Sequence, residues 1–228
     1  MKKQVIQTVI FGLILVFAFS GCATFRSDIE GAFSSEAGKN YGAEKVSVLF
    51  VARHLRQAKG FDAIPKLEKK YQILSGFGDI LQDATLEFSN LEKYASFTEF
   101  SSDISEPERM ALKDSLLATH DFSVEIEIRK EWSFAKHFLG SIVSAVGALI
   151  PIAYSKDFSM TADVFDSEGK LIKSYSRSAT ATKWVEALLL PIYPFHTERR
   201  KTEEIYVEIL HDIFRQIEAE KILTKEEN

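Results

Sequence analysis

The clearest pattern in this chain is the alternation of apolar and polar residues in its second half. From 122 to 129 every second residue is apolar, which is the period of a strand with one buried face. The same period runs through 158–164, and 171–184 returns as its partner. Between these two segments, Asp166-Ser167-Glu168-Gly169 begins with aspartate and ends with glycine, as tight turns often do. The second half is therefore predicted to contain a strand followed by a β-hairpin.

The first half of the chain mixes strand and helix signals. The β-branched run 46–51 predicts a short buried strand, and 96–100 is a second candidate strand. Apolar residues recur at three- and four-residue spacing in 61–74 and 78–91, which predicts two helices. Ser105-Glu106-Pro107-Glu108 has the form of a capping box with proline in the first turn, so a third helix is predicted to begin there.

The last predicted element is an amphipathic helix from about 202 to 222. Its apolar residues fall on one side, and Glu203 and Glu204 place negative charge in its first turn. The complete order of elements predicts an α+β fold. We expect a mainly antiparallel sheet of about five strands, covered by helices on one face, with the amphipathic helix at the C-terminus.

Residues 138–155 form a long segment without a charged residue. On a helical projection its small residues form one stripe and its bulky residues the opposite side, which includes Phe138, Ile142, Val146, Leu149 and Ile150. We predict a helix or helical hairpin over 137–155 that does not span a membrane. Its bulky side is expected to pack against the domain's own core, a neighbouring subunit or the surface of a bilayer.

The N-terminus has the parts of a secretory signal. Lys2 and Lys3 precede the apolar run 9–19, and Ser20-Gly21-Cys22 follows. The segment around Cys22 resembles the lipobox of bacterial lipoproteins, with Phe19 in place of the commoner leucine. An uncleaved membrane helix is the alternative, although the run is short for a span.

The lipobox resemblance implies that residues 1–21 are removed and that Cys22 carries the lipid. Lipoproteins of this kind have a diacylglycerol on the cysteine sulfur and usually a third acyl chain on its amine, which makes the attachment effectively permanent. Ala23 stands where many inner-membrane lipoproteins have aspartate. The expected location is therefore the outer membrane, with the protein lipid-anchored and facing the periplasm.

Composition divides the mature chain into two parts. Residues 22–44 are rich in glycine, serine, alanine and charge, which predicts a lipidated cysteine followed by a flexible tether, and 45–228 is expected to form a single domain. Removing Lys2 and Lys3 with the signal changes the formal charge from −5 to −7, which argues against nucleic-acid binding. Cys22 is the only cysteine, so no disulfide is expected.

The chain offers little catalytic or metal-binding chemistry. Its histidines occur singly, without the spacing of metal ligands; they are His54, His120, His137, His196 and His211. Glu125 and Glu127 share one side of a strand, but a solvated strand face explains them more simply than a carboxylate pair for glycoside hydrolysis. No catalytic residue, metal site or cofactor is assigned. We therefore expect a protein that is not an enzyme.

Two further groups of polar residues, an acidic turn and a row of hydroxyls, are candidates for a binding role. Asp163, Asp166 and Glu168 lack the additional acidic ligands of a calcium loop, so a hairpin turn is the preferred interpretation. A row of hydroxyl side chains lies on one side of the returning strand and is interpreted as a solvent-facing or edge surface. The row consists of Ser174, Ser176, Ser178, Thr180 and Thr182.

The order of elements, together with the segment 164–170, Trp184 and Pro191, gives the chain a family resemblance. In these features the chain resembles small periplasmic α/β lipoproteins related to the TolB amino-terminal domain and the curli-secretion-channel subunits. That resemblance implies a function in partner binding or oligomerisation in the envelope, and it implies no catalytic residue. The leading hypothesis is an envelope lipoprotein that binds partners or self-associates. The alternative is a lipid-binding or transport accessory lipoprotein that uses the apolar segment 138–155, and a hydrolase is a third.

Overall fold

Seven β-strands and four α-helices make up the described part of the chain. The structure is a computed structural model that describes residues 21–35, 38–144, 152–186 and 195–225. The strands are β1 (Gly21–Arg26), β2 (Val46–Lys59), β3 (Lys66–Leu67), β4 (Leu91–Glu99), β5 (Phe122–Ser133), β6 (Ile152–Asp166) and β7 (Leu171–Glu186). The helices are α1 (Phe77–Ala84), α2 (Pro107–Leu117), α3 (Phe134–Ser144) and α4 (Glu198–Ala219).

All seven strands belong to one mixed sheet. Its order is β1-β7-β6-β5-β2, and both β3 and β4 pair with the remaining edge of β2. Strand β2 runs parallel to β4 and β5, whereas the pairs β5–β6, β6–β7 and β7–β1 are antiparallel. The expected α+β class is confirmed, but the expectation of a mainly antiparallel sheet of about five strands is wrong. The helical connections through α1 and α2 return the chain to the same end of the sheet, and this makes the next strand parallel.

The main core lies between the sheet and helices α1 and α4. Phe214 of α4 stacks on Phe50 at a ring-centroid distance of 5.2 Å and on Phe88 at 4.9 Å. Both Phe50 and Phe214 are fully buried, and each buried side chain of this kind contributes roughly 1.5–3 kcal/mol to stability. This long helix therefore covers most of one face of the sheet.

Helix α2 lies on the opposite face, so helices do not cover only one side as predicted. Leu49, Val51 and Phe97 form a second apolar cluster, against which Leu116 and Leu117 of α2 pack. Leu49 and Val51 alternate along β2 with the residues of the main core. This alternation explains why 46–52 is buried on both faces and reads as a continuous apolar run.

The predicted helix over 61–74 is wrong. This segment contains turns and the short strand β3, in which Lys66 pairs with Arg56 of β2. Asp62 accepts a hydrogen bond from the backbone N–H of Ala58, at 2.9 Å, and so closes the turn after β2 instead of capping a helix. Gly60 supports the turn with a positive φ of 87°.

The other predicted helices are found with shifted ends. The one predicted over 78–91 ends at Ala84 and continues as a short 3₁₀ helix, Thr85–Glu87. Helix α2 begins at Pro107 as predicted, but Glu106 is its N-cap and no side chain caps it. Helix α4 begins at Glu198, where Thr197 accepts a hydrogen bond from the N–H of Arg200.

The described residues of 22–44 are attached to the domain. Residues 22–26 belong to β1 and pair with β7, and Ile29 is buried in the main core. The backbone N–H of Phe33 donates to Asp212 at 3.0 Å, and that of Asn40 donates to Glu218 at 2.7 Å. This arrangement differs from the flexible tether that the composition predicts, because backbone hydrogen bonds that need no sequence periodicity hold the segment in place.

Candidate contact surface

Helix α3 forms the first part of the predicted apolar helix. It ends at Ser144, and the described chain resumes at Ile152 as the first residue of β6, so the prediction of helix up to 155 is wrong at its end. Phe138 is 56% exposed and Ile142 50%, and Leu139 between them is exposed as well. Val146, Leu149 and Ile150 lie outside the described residues. No helix in the described ranges is long and apolar enough to cross a bilayer.

Gly140 of α3 faces the sheet. Gly140 is buried, and a Cβ atom at this position would lie 3.2 Å from Cδ1 of Tyr154 and 3.8 Å from Cγ2 of Ile152. Only glycine allows the helix to come this close to β6 without displacing the tyrosine ring. Gly140 thus faces β6, whereas Phe138, Leu139 and Ile142 face outward, so the bulky side does not pack in the domain's own core, one of the three surfaces that the projection left open.

Aromatic rings extend the exposed side of α3 towards the turn after β2. Phe134 stacks on Phe138 at 6.1 Å and on Phe61 at 5.0 Å. Beside these rings lies a groove of about 470 Å³, which Trp132 also lines and which has Arg56 at its margin. We call the exposed residues Phe61, Phe134, Phe138, Leu139 and Ile142 the α3 surface.

Cys22 lies at the same end and on the same face of the sheet as α3. It is half-buried in β1 and pairs with Val185 of β7, which pairs in turn with Ile152 of β6. Directly opposed residues share a face of the sheet, and strands are about 4.8 Å apart. The cysteine therefore lies roughly 10 Å from Ile152, the residue on which Gly140 of α3 packs. Residues 1–20 of the predicted signal lie outside the described residues, and acylation of Cys22 stays a prediction.

The hydroxyl row lies on the sheet face opposite α4 and is engaged in cross-strand contacts. Thr182 contacts Ser155 between hydroxyls at 2.9 Å, and Thr180 donates to Asp157 at 3.0 Å. Ser178 donates to Glu30 at 2.9 Å. Strand β1 pairs with β7 from Ala181 to Glu186, so Thr182 lies inside the sheet. Only the part of the row nearer the hairpin lies on an edge of the sheet. It is therefore a largely solvated polar surface, as the simpler interpretation predicts.

The carboxylate pair on β5 is neutralised by arginines. Arg53 forms an ion pair with Glu125, and Arg129 donates to Glu127 at 2.8 Å. In the turn after β6, Asp166 accepts hydrogen bonds from the N–H groups of Glu168 and Lys170, at 3.0 and 2.9 Å. These contacts match a solvated strand face and a hairpin turn.

Three of the histidines contact separate partners. Nδ1 of His120 lies 2.7 Å from the carbonyl of Leu116, His196 packs on Phe25 at 4.8 Å, and His211 lies between Glu87 and Asp83. Within the described ranges, no three side chains of the types that bind metals come together.

Of the other two histidines, His54 is buried and His137 is half-buried. Burial lowers the pKa of His137 below its usual value and lowers that of His54 to about 4. His54 is 1% exposed and packs edge-to-face on Phe77 at 4.6 Å. Neither ring nitrogen of His54 has a hydrogen-bond partner among the described residues.

Two charged residues face inward in the structure, although the sequence patterns did not predict them as site residues. Lys130 follows Ile128 on the inward side of β5, and Arg177 lies on the inward side of β7 among small apolar residues. Both interrupt an alternation of inward apolar residues, and this interruption is the signal that could have found them. Arg177 forms a buried ion pair with Asp212, at 2.6 Å.

Comparison with known proteins leaves the family open. No protein-family model and no curated protein matches the chain. A PelC dodecamer from Paraburkholderia phytofirmans matches 87% of this chain and 98% of its own at 9% identity, with a TM-score of 0.32. A variant of that dodecamer gives a TM-score of 0.30 at 10% identity, over 87% of this chain and 99% of its own. Lipoprotein GNA1162 from Neisseria meningitidis matches 58% of this chain and 81% of its own at 12% identity, with a TM-score of 0.26. TM-scores this low assign neither fold nor function.

Proposed function

We propose that this chain is a lipoprotein of the cell envelope, anchored in the outer membrane through acylated Cys22 and facing the periplasm. It acts by binding a partner or by self-association, and it has no catalytic role of its own. The α3 surface is the contact surface.

The observation that carries the proposal is the exposure of the bulky side of α3. Phe138, Leu139 and Ile142 are each at least half exposed, although the opposite side of the same helix is packed on β6. Contiguous exposed apolar surface is typical of contact sites in soluble domains. The α3 surface is therefore expected to be covered in the working state of the protein.

A single charge on this surface tests the proposal. We expect the wild-type protein to form oligomers or to retain a protein partner in size-exclusion chromatography with light scattering, and Ile142→Glu to abolish this association. Ile172→Glu, a matched change on β7 at a position 41% exposed, is expected to leave it intact. A wild-type protein that is monomeric and without a partner, or two variants that behave alike, would contradict the proposal.

Contact with lipid is the second candidate function. It is favoured by the position of Cys22, because an anchor within a strand, and not at the end of a free tether, holds the end of the sheet that carries α3 close to the bilayer. If this candidate is right, a Cys22→Ser chain made without residues 1–21 will still sediment with liposomes, and the added Ile142→Glu will release it. If that chain shows no liposome binding, the α3 surface is not a lipid contact.

A further inference from the structure

A second cleft of the domain is lined by two charged side chains, buried Glu68 and half-buried Lys130, that form no direct ion pair with a described residue. It lies between the loop after β3, the middle of β5 and the first turns of α4, and has a volume of about 350 Å³. Its lining includes Glu68, Ile73, Leu74, Lys130, Glu198 and Tyr206. Pockets for small molecules begin near this volume and combine apolar walls with a few convergent polar groups.

Glu68 is fixed by its backbone but not by its side chain. Its N–H donates to the carbonyl of His54 at 2.8 Å, and its own carbonyl accepts from the N–H of Ser101 at 3.2 Å. The residue is 8% exposed, and its carboxylate has no hydrogen bond or ion pair with any residue in the described ranges. Tyr206, 5% exposed, has a hydroxyl in the same condition. Both residues line the cleft, so a ligand bound there could reach these two polar groups.

Lys130 is the basic counterpart in this cleft. It faces inward from β5 beside Phe158, where an apolar residue would continue the alternation. It makes no ion pair within 4.0 Å in the part of the chain that the structure describes, because the nearby Glu198 is taken by Lys156 and Lys183. Its ammonium and the Glu68 carboxylate thus line one cleft without contacting each other.

Burial acts on both charges in the expected directions. It raises the pKa of the Glu68 carboxyl and lowers the pKa of the Lys130 ammonium, since each charged form has lost water without gaining a direct partner. A ligand that brings a cation to Glu68 and an anion to Lys130 would restore both interactions.

We infer that this cleft binds a small zwitterion of the α-amino-acid type, with its ammonium on Glu68 and its carboxylate on Lys130. The Tyr206 hydroxyl is a further hydrogen-bonding group for the carboxylate. Ile73 and Leu74 form the apolar wall that the ligand's side chain would contact. This inference does not depend on the function proposed for the α3 surface.

Binding of free amino acids tests the inference directly. The twenty standard L-amino acids, added one at a time at millimolar concentration to the full-length protein in detergent, are expected to include at least one that raises its melting temperature. Calorimetric titration then measures the affinity for that amino acid. Glu68→Gln and Lys130→Met remove one charge each with little change in shape, and each is expected to weaken binding roughly tenfold or more.

Matched controls separate a zwitterion site from unspecific effects. Glu92→Gln and Lys93→Met make the same changes on exposed residues of β4 and are expected to bind normally. The N-acetyl and amide derivatives of the amino acid each lack one charge. Each is expected to bind the wild-type protein roughly tenfold or more weaker than the amino acid does, the same loss that each variant is expected to show. The inference is overturned if no amino acid stabilises the wild-type protein, if Glu68→Gln and Lys130→Met bind as tightly as wild type, or if the derivatives bind equally well.

Discussion

His54 is the residue through which mild acid is expected to destabilise the protein. Its ring is buried between Phe77 and Tyr206, and its nitrogens have no hydrogen-bond partner in the described ranges. Burial lowers its pKa from 6.5 to about 4 in the folded state. The unfolded chain therefore takes up this proton at a higher pH than the folded chain, and stability is lost as the pH falls from 6.5 towards 4.

The size of this loss follows from the two pKa values. One pKa unit corresponds to about 1.4 kcal/mol, so linkage between 6.5 and 4 gives a loss of about 2 kcal/mol by pH 5 and about 3 kcal/mol by pH 4. A domain with ordinary stability of about 5–15 kcal/mol would lose a substantial part of it. His54→Leu, which keeps the volume but cannot be protonated, should remove this component.

Urea unfolding followed by circular dichroism at pH 7, 6, 5 and 4.5 measures the effect. Other groups also titrate in this range, but they cancel in the difference between wild type and variant. The free energy of unfolding of wild type should fall relative to His54→Leu by about 2 kcal/mol between pH 7 and pH 5. His54→Gln is the control, since it keeps a buried polar group but cannot be protonated. Wild type should lose the same stability relative to His54→Gln as relative to His54→Leu between pH 7 and pH 5, whatever the stability of His54→Gln at pH 7. Parallel pH curves for all three proteins would refute the reasoning.

Removing one partner of the buried pair Arg177–Asp212, as in Asp212→Leu, should lower the free energy of unfolding by about 3–5 kcal/mol. Arg177→Met in the same chain should recover part of this loss, but not the part due to the Phe33 N–H, which also donates to Asp212. Urea unfolding of the single and double variants decides, and equal loss in both would contradict this. Gly140→Leu should destabilise by about 1–3 kcal/mol by forcing the ring of Tyr154 away, measured in the same way, whereas an unchanged stability would mean that α3 does not pack as described. Mass spectrometry of the wild-type N-terminus should find acylated Cys22 without residues 1–21, and Cys22→Ser should carry no lipid; an intact Met1 in the wild type would contradict this.

The elements predicted correctly are those whose pattern is visible within one segment. Strand β5 and the β6–β7 hairpin each carry the period-two alternation, and the turn residues between β6 and β7 fix their register. Helix α4 carries its own apolar stripe, although Glu198 is the acidic residue of its first turn, and not Glu203 and Glu204 as predicted. In these cases local preference and tertiary packing agree, so the sequence alone predicts the type of each element.

The elements that were missed depend on partners far away in the chain. Strand β1 pairs with β7 through backbone groups, which leave no periodic mark in the sequence of β1. In 61–74 the apolar spacing suggested a helix, but Phe61 and Ile64 are both 70% exposed and Lys66 pairs with β2 instead. Parallel pairing of β2 with β4 and β5 likewise follows from how the helices reconnect the chain, and not from any single strand.

The two candidate sites differ in the same way: the α3 surface is visible within one segment, and the zwitterion cleft is not. The small and bulky sides of α3 could be assigned from spacing alone, because a helix of fixed period determines which residues share a side. The zwitterion cleft could not, since Glu68, Lys130 and Tyr206 come from three elements that only the folded chain brings together.

Under the proposed acylation of Cys22, its position in β1 also determines how a mechanical load would enter the domain. A pull on the anchor away from the N-terminal end of β1 acts along the strand axis, while the hydrogen bonds to β7 lie across that axis. The bonds from Cys22 to Arg26 would then resist together in shear, instead of opening one at a time as in unzipping. At the far end of β1, Arg26 forms ion pairs with Glu204 and Glu208 of α4. Tension at the anchor would thus be borne by the β1–β7 pair as a whole.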